Sequence, residues 1–314
     1  MLKKILIGLL ALLVVLFGAG AAMNRLAPMT TAKFLRDMSR SAAGLEAKTL
    51  EAQGRSFPYL VGGNGLPLVL VHGFTANKDA WNAIARYLTP SYTVYAIDLP
   101  GFGDATRDPK GDYSFDAQVE SLHVFIKGLG LTKVDLGGNS MGGGVVALYA
   151  AKYPNEVASL WLLDAAATQE SGDSPIIKNF VATGEHPVLV KTQEQQAKLF
   201  DMLFGQPKFL PYSVAYALLE NSKRDFEFHG NILKSLVKSN PIESRYSNLQ
   251  TPSLIVTGDK DQIVPPASVQ TLAKVFPKNQ LKVMQGLGHI PMTEDPKSTA
   301  EDYLAFRATL VKAP

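Results

Sequence analysis

Gly138-Asn139-Ser140-Met141-Gly142 stands where an apolar strand gives way to a helix. Val134-Asp135-Leu136 leads in, and Gly143 to Ala151 runs out through small residues. A hydroxyl carried on so abrupt a turn needs small neighbours, because bulk on either flank would meet the backbone of strand or helix. The arrangement presents Ser140 Oγ at the top of a sheet, free to attack a carbonyl, and marks Ser140 as a candidate nucleophile.

Outward from this turn the chain alternates between two kinds of segment. Leu66–Val71 is apolar apart from its proline, as expected of a strand buried on both faces of a parallel sheet. Runs of the same kind recur at Thr93–Ile97, Leu160–Leu163, Leu254–Thr257 and Leu281–Met284. Shorter strand-like pieces precede them at Ala47–Glu51 and Ser56–Val61. Helix-length stretches lie between: Ala80–Leu88, Phe115–Leu129, Gly143–Tyr153 and Pro266–Phe276. Strand alternating with helix predicts an α/β fold with right-handed crossovers and a mostly parallel sheet of eight strands.

The alternation breaks over residues 168–247. Ile176, Ile177, Phe180 and Val181, then Leu199, Phe200, Leu203 and Phe204, then Ile232, Leu233, Leu236 and Val237 recur at helical spacing. Ser174-Pro175 supplies an N-cap and a first-turn proline. This stretch reads as a helical insertion, a cap over the site, set into a core of residues 46–167 and 248–314. Some of its further aromatics, Phe209, Tyr212, Tyr216, Phe226 and Phe228, are expected to line an acyl pocket.

A serine hydroxyl needs a base within hydrogen-bond reach and a carboxylate to hold that base in the useful tautomer. Of the five histidines, His289 is expected to be the base. It follows the last strand in a glycine-loosened loop, Gly286-Leu287-Gly288-His289, at the carboxyl edge where ligands collect in open α/β sheets. His123 reads as a packing residue in mid-helix, and His186 and His229 as structural residues of the insertion that could also touch substrate. Three aspartates compete for the acid: Asp261 and Asp259 in the loop after Leu254–Thr257, and Asp164 at the end of an earlier strand. Asp259 is expected to shape its turn. The oxyanion needs preorganised donors. Met141 N–H, next to the nucleophile, and Phe74 N–H, in His72-Gly73-Phe74, are the expected pair, with His72 shaping the loop.

Composition sets bounds on all this. The 314 residues are 46% hydrophobic and 19% charged, with a formal net charge of +3. No basic cluster suggests a nucleic-acid groove. The absence of cysteine excludes disulfides, thiolate metal sites and a cysteine nucleophile. No His/Glu or His/Asp cluster has the helical ligand spacing of a metal site, so no metal is expected. Met1-Leu2-Lys3-Lys4 precedes an uncharged apolar run from Ile5 to Met23, about long enough to cross a bilayer. Residues 1–23 therefore read as a membrane anchor or, given Ala19-Gly20-Ala21-Ala22, a cleavable signal peptide. Residues 24–45 read as a polar, helix-prone connector. The expectation is an exported protein, anchored facing the periplasm or secreted once cleaved.

Taken together, Gly137 to Gly143, His72-Gly73-Phe74, Asp98-Leu99-Pro100-Gly101-Phe102-Gly103, Ser159 to Asp164 and Gly258-Asp259-Lys260-Asp261-Gln262 give a chain that resembles the α/β-hydrolase superfamily from about Leu45 onward. Within it, the chain is similar to small bacterial lipases active at low temperature and to membrane-anchored monoacylglycerol lipases. The resemblance implies hydrolysis of acylglycerol esters, a mobile helical cap and no cofactor; the apolar N-terminal run adds the expectation of a membrane or lipid interface, and no obligate protein partner is expected. Its chain order of serine, acid, histidine, together with the place of Asp261 at the tip of the loop after Leu254–Thr257, favours Asp261 over Asp259 and Asp164 and gives a triad of Ser140, Asp261 and His289, with Phe74 and Met141 as oxyanion hole. The serine argues against relatives with a carboxylate nucleophile. A short-chain esterase or a C–C bond hydrolase shares the framework, as does a non-catalytic binding protein that keeps the fold.

Overall fold

A computed structural model describes residue 18 and residues 20–311 of the chain. Eight strands form one sheet: β1 (Glu46–Ala52), β2 (Arg55–Gly62), β3 (Leu66–Val71), β4 (Tyr92–Ile97), β5 (Val134–Asn139), β6 (Val157–Leu163), β7 (Ser253–Gly258) and β8 (Asn279–Met284). Their order across the sheet is β1-β2-β4-β3-β5-β6-β7-β8. β1 and β2 pair antiparallel, as do β2 and β4. Every other pairing is parallel.

Side chains that alternate along each strand feed two cores, one on each face. Val69 and Val71 join Phe125, Val145 and Leu272 on one side. Those three belong to helices α3 (Phe115–Gly128), α4 (Met141–Lys152) and α10 (Ala267–Val275). Leu68 and Leu70 join Ile84, Trp161 and Tyr303 on the other. There Ile84 comes from α2 (Asn82–Leu88) and Tyr303 from α12 (Pro296–Val311), with the Trp161 and Tyr303 rings stacked 4.5 Å apart.

Two details differ from the sequence expectation. Leu281–Met284 is not buried on both faces. β8 ends the strand order, and Leu281 and Val283 are 38% and 43% exposed at this edge, which meets no further strand among the described residues. The segment from Ala80 also does not begin as an α-helix. Lys78–Trp81 is a tight 3-10 turn capped by Asn77, and the α-helix starts at Asn82.

Between β6 and β7 the chain folds into α5 (Gln169–Gly172), α6 (Pro175–Thr183), α7 (Gln193–Leu203), α8 (Tyr212–Leu236) and α9 (Ile242–Arg245). Ser174 Oγ accepts from Ile177 N–H to start α6, and Gly184, at φ 78°, ends it in the left-handed region. Thr192 and Gln195 close a capping box on α7.

Residues 24–45 are more than a connector. Their helix α1 (Pro28–Ala42) runs along α8. Asn24 Oδ1 accepts from Ser213 N–H at 3.0 Å, and the Arg25 guanidinium lies over the Tyr212 ring. At the far end Arg40 holds Asp79 through two bonds, at 2.6 and 2.7 Å. The expected leader falls almost wholly outside the described residues. Among those described, no helix is long and apolar enough to cross a membrane.

Candidate active site

Ser140 occupies the turn between β5 and α4 at φ 55° and ψ −120°, a strained conformation for a residue with a side chain. The surroundings force it. A Cβ on Gly138 would run into the Gly142 carbonyl, and one on Gly142 into the Val71 carbonyl. Ser140 N–H donates to Leu163 O at 2.9 Å, and its carbonyl accepts from Ala166 N–H at 3.0 Å. Both partners belong to β6 and the residues just past it, so the turn is locked to the next strand.

His289 and Asp261 meet as expected. His289 Nδ1 lies 2.9 Å from Asp261 Oδ2, with both side chains almost fully buried. Asp261 Oδ1 accepts from Ile263 N–H at 2.7 Å and Val264 N–H at 3.1 Å. Burial alone would raise this carboxyl. The facing His289 and the Ile263 N–H outweigh it and hold Asp261 below the usual carboxylate range. Asp259 instead accepts from Gly286 N–H at 2.6 Å, tying the acid's loop to the histidine's. Asp164 is fully buried at the end of β6 and accepts from Thr257 Oγ1 and Gly258 N–H.

Phe74 and Met141 face the same cavity as Ser140 and His289. Met141 opens α4, so its N–H lacks an intrahelical partner and sits at the positive end of the helix dipole. The Gly73 backbone passes close to Ser140, within 3.3 Å of Ser140 Cβ for a side-chain carbon placed there. His72 shapes this loop: Nδ1–H donates to Gly73 O at 2.8 Å, and Nε2 accepts from Leu99 N–H at 3.2 Å. The cavity has a volume of about 610 Å³. It is walled on the insertion side by apolar residues such as Ile177, Leu199, Phe200, Phe204 and Leu233.

None of the five aromatics, some of which were expected to line the pocket, lies on its wall. Phe209 is 90% exposed, Tyr212 carries Arg25, and Tyr216 stacks near Tyr212. Phe226 carries Lys191, and Phe228 packs edge-on to Tyr113. Phe209 precedes α8; on that long helix the other four positions point away from the cavity, whereas Asn221, Asp225, His229 and Leu233 point into it at helical spacing. His186 and His229 both line the cavity, and burial pushes each down to about 4. His123 bonds to Tyr149 on the opposite side of α4, as a packing residue.

Two supporting residues carry no role legible in the sequence. Asn139 Nδ2 donates to His289 O at 2.9 Å and to Leu163 O at 3.2 Å, joining the serine's turn to the histidine's loop. Glu294 accepts from Gly288 N–H at 2.7 Å and from Gly205 N–H at 2.8 Å, while His289 N–H donates to Leu203 O at 2.9 Å. The insertion is thus stitched at residues 203–205 to the loop that carries His289. Among the described residues, one group with metal-ligand spacing exists, Asp164, Asp261 and His289, and Asp261 Oδ2 in it already faces His289 Nδ1.

A sheet of this order, a strained serine between β5 and α4, and an acid and histidine after β7 and β8 agree with a sequence match to the alpha/beta hydrolase fold over residues 67–296. The chain belongs to the α/β-hydrolase family. Among α/β-hydrolases, it is 38% identical over 301 residues to Lipase 1 of Psychrobacter immobilis, covering 93% of each chain. It is 28% identical to a monoacylglycerol lipase of Mus musculus over 77% of this chain and 76% of that one. The crystal structure of a membrane phospholipase A described as a bacterial virulence factor superposes with a TM-score of 0.87 at 33% identity, covering 99% of this chain and all of that one.

Proposed function

We propose that this α/β-hydrolase is a lipase that cleaves carboxylic esters of acylglycerol-type lipids through an acyl-enzyme on Ser140. The observation that carries the substrate class is the cavity: about 610 Å³, apolar on the insertion side, with Ser140 and His289 in its polar wall. An acyl chain leaves water there, at roughly 0.8 kcal/mol for each buried CH₂, while its ester carbonyl meets the serine.

In this reading His289 Nε2 takes the Ser140 proton as Oγ attacks the carbonyl carbon, and Asp261 stabilises the resulting imidazolium. The N–H groups of Phe74 and Met141 receive the oxyanion. The imidazolium protonates the departing alcohol, and water, activated by the same histidine, releases the fatty acid. The insertion acts as the cap that forms the acyl side of the pocket. No observation favours the C–C bond hydrolase or the non-catalytic reading.

Membrane attachment through residues 1–23 belongs to the same proposal. It is supported by large apolar side chains left exposed just after this segment and in the insertion, Leu26 at 85% and Phe209 at 90%, of the kind a lipid surface can take up. Rates on p-nitrophenyl esters of rising chain length, alongside monoolein and triolein, test the substrate class. Medium or long acyl chains and glycerides should be preferred. Preference for acetate with no glyceride cleavage would overturn the lipase assignment.

A further inference from the structure

The mechanism above leaves one buried carboxyl next to the site without a task. Asp164 is 0% exposed and sits at φ 45°, a conformation an ordinary side chain avoids. Its two hydrogen-bond donors, Thr257 Oγ1 at 2.9 Å and Gly258 N–H at 3.0 Å, both go to Oδ1. Oδ2 is buried and receives no donor at all. Asp164 nevertheless offers an oxygen within 4.8 Å of both Asp261 and His289.

Two carboxylates so placed in a dry site cannot both stay ionised. Their partners decide which holds the proton. Asp261 faces His289 and two backbone N–H groups, so the negative charge is best kept there. Asp164 has no cation and two donors on a single oxygen. Burial and then the Asp261 charge push the Asp164 carboxyl well above the usual range. With a proton on Oδ2, the orphaned atom becomes a donor with an acceptor beside it.

We propose that Asp164 is a positioning residue, a neutral carboxylic acid that donates an Oδ2–H bond to Asp261 and fixes that carboxylate against His289. This rests on the reading of Ser140, Asp261 and His289 as the triad. The added donor makes the acid's seat complete on every side. It also tempers the charge that the imidazole feels, since an acceptor shared between two donors binds each less strongly. The ionisable groups facing Asp164 and Asp261 are each other and His289.

The test compares Asp164→Asn with Asp164→Ala. Asparagine can accept the Thr257 and Gly258 bonds and donate its amide to Asp261. It should keep kcat within about threefold and leave the acid limb of the kcat/KM pH profile in place. Alanine removes the donor. Its kcat/KM should fall about 10- to 100-fold, with the acid limb moved to higher pH, because an untempered Asp261 favours the imidazolium. If Asp164 were ionised, Asp164→Asn would delete a negative charge and move the limb to lower pH, and that outcome overturns the proposal. Loss of folding stability in Asp164→Ala with an unmoved limb would also overturn it, as a purely structural role. Infrared difference spectra give a readout independent of turnover. Wild-type protein at neutral pH should show the carbonyl stretch of a buried protonated carboxylic acid, missing from Asp164→Asn. If that band is present but Ser140→Ala remains active, the triad reading fails while the Asp164 proton stands.

Discussion

Ser140 holds a backbone conformation that costs of the order of 1–3 kcal/mol, and the residues around it explain why it persists. Gly138 and Gly142 leave room for no side chain, and Leu163 and Ala166 grip the serine's own backbone groups. These glycines were readable from the sequence because they follow from local sterics. So were His289 and Asp261, whose chain order and loop placement do not depend on fine packing. Asn139 and Glu294 could not be read the same way. Their bonds run to loops 150 and 89 residues distant in sequence, and only the finished fold says which loops meet. The choice among the aspartates is testable at this scale. Asp261→Asn should lower kcat by roughly 10³- to 10⁴-fold, through loss of the charge and the correct imidazole tautomer. Asp259→Asn retains an acceptor for Gly286 N–H and should change kcat by less than about tenfold. Steady-state kinetics on a soluble ester, with circular dichroism to confirm folding, measures both.

At the scale of elements, periodicity located the strands and the three apolar helix faces of the insertion. It did not show which strand would be the edge, so β8 was misjudged as doubly buried. Nor did it show that α8 would turn its aromatics away from the cavity. Composition counts aromatic residues but does not orient them on a helix whose neighbours are unknown. The insertion has a second property that follows from its two buried histidines. His186 and His229 stay neutral in the folded state down to about pH 4, whereas in an unfolded chain each takes up a proton near pH 6.5. Between those limits the unfolded state binds more protons, so stability falls as pH drops through that window. The insertion should therefore loosen before the sheet. Hydrogen-exchange protection factors, which remove the intrinsic pH dependence of amide exchange, should be lower at pH 5 than at pH 8 in α6 to α8 and little changed in β3, β5 and β6. His186→Asn keeps an acceptor for Val188 N–H and should reduce the difference.

At the scale of the whole molecule, the eight-stranded, mostly parallel sheet was legible because alternating strands and helices leave few topologies. The role of residues 24–45 was not. A short polar segment reads as a linker until its partners are known, and here they are α8 on one side and Asp79 on the other. If residues 1–23 bring the site to a bilayer, removing them should act on one class of substrate only. The truncated protein should hydrolyse a soluble p-nitrophenyl ester at a rate within about twofold of the full chain, yet lose about tenfold or more on glycerides presented in vesicles. Equal losses on both substrates would instead mean that the segment supports folding through α1.

The stitching of residues 203–205 to the loop bearing His289 also has a consequence for protein engineering. Swapping insertions between relatives is an attractive way to exchange substrate preference, with the natural cuts at the ends of β6 and β7. Such a graft would separate Leu203 O from the His289 N–H that donates to it, and Gly205 N–H from the Glu294 carboxylate that accepts from it. A transplantable unit must therefore be discontinuous, comprising residues 168–247 together with 286–294 from the same donor. A chimera built from the insertion alone should fold and bind lipid yet turn over slowly, its histidine adrift.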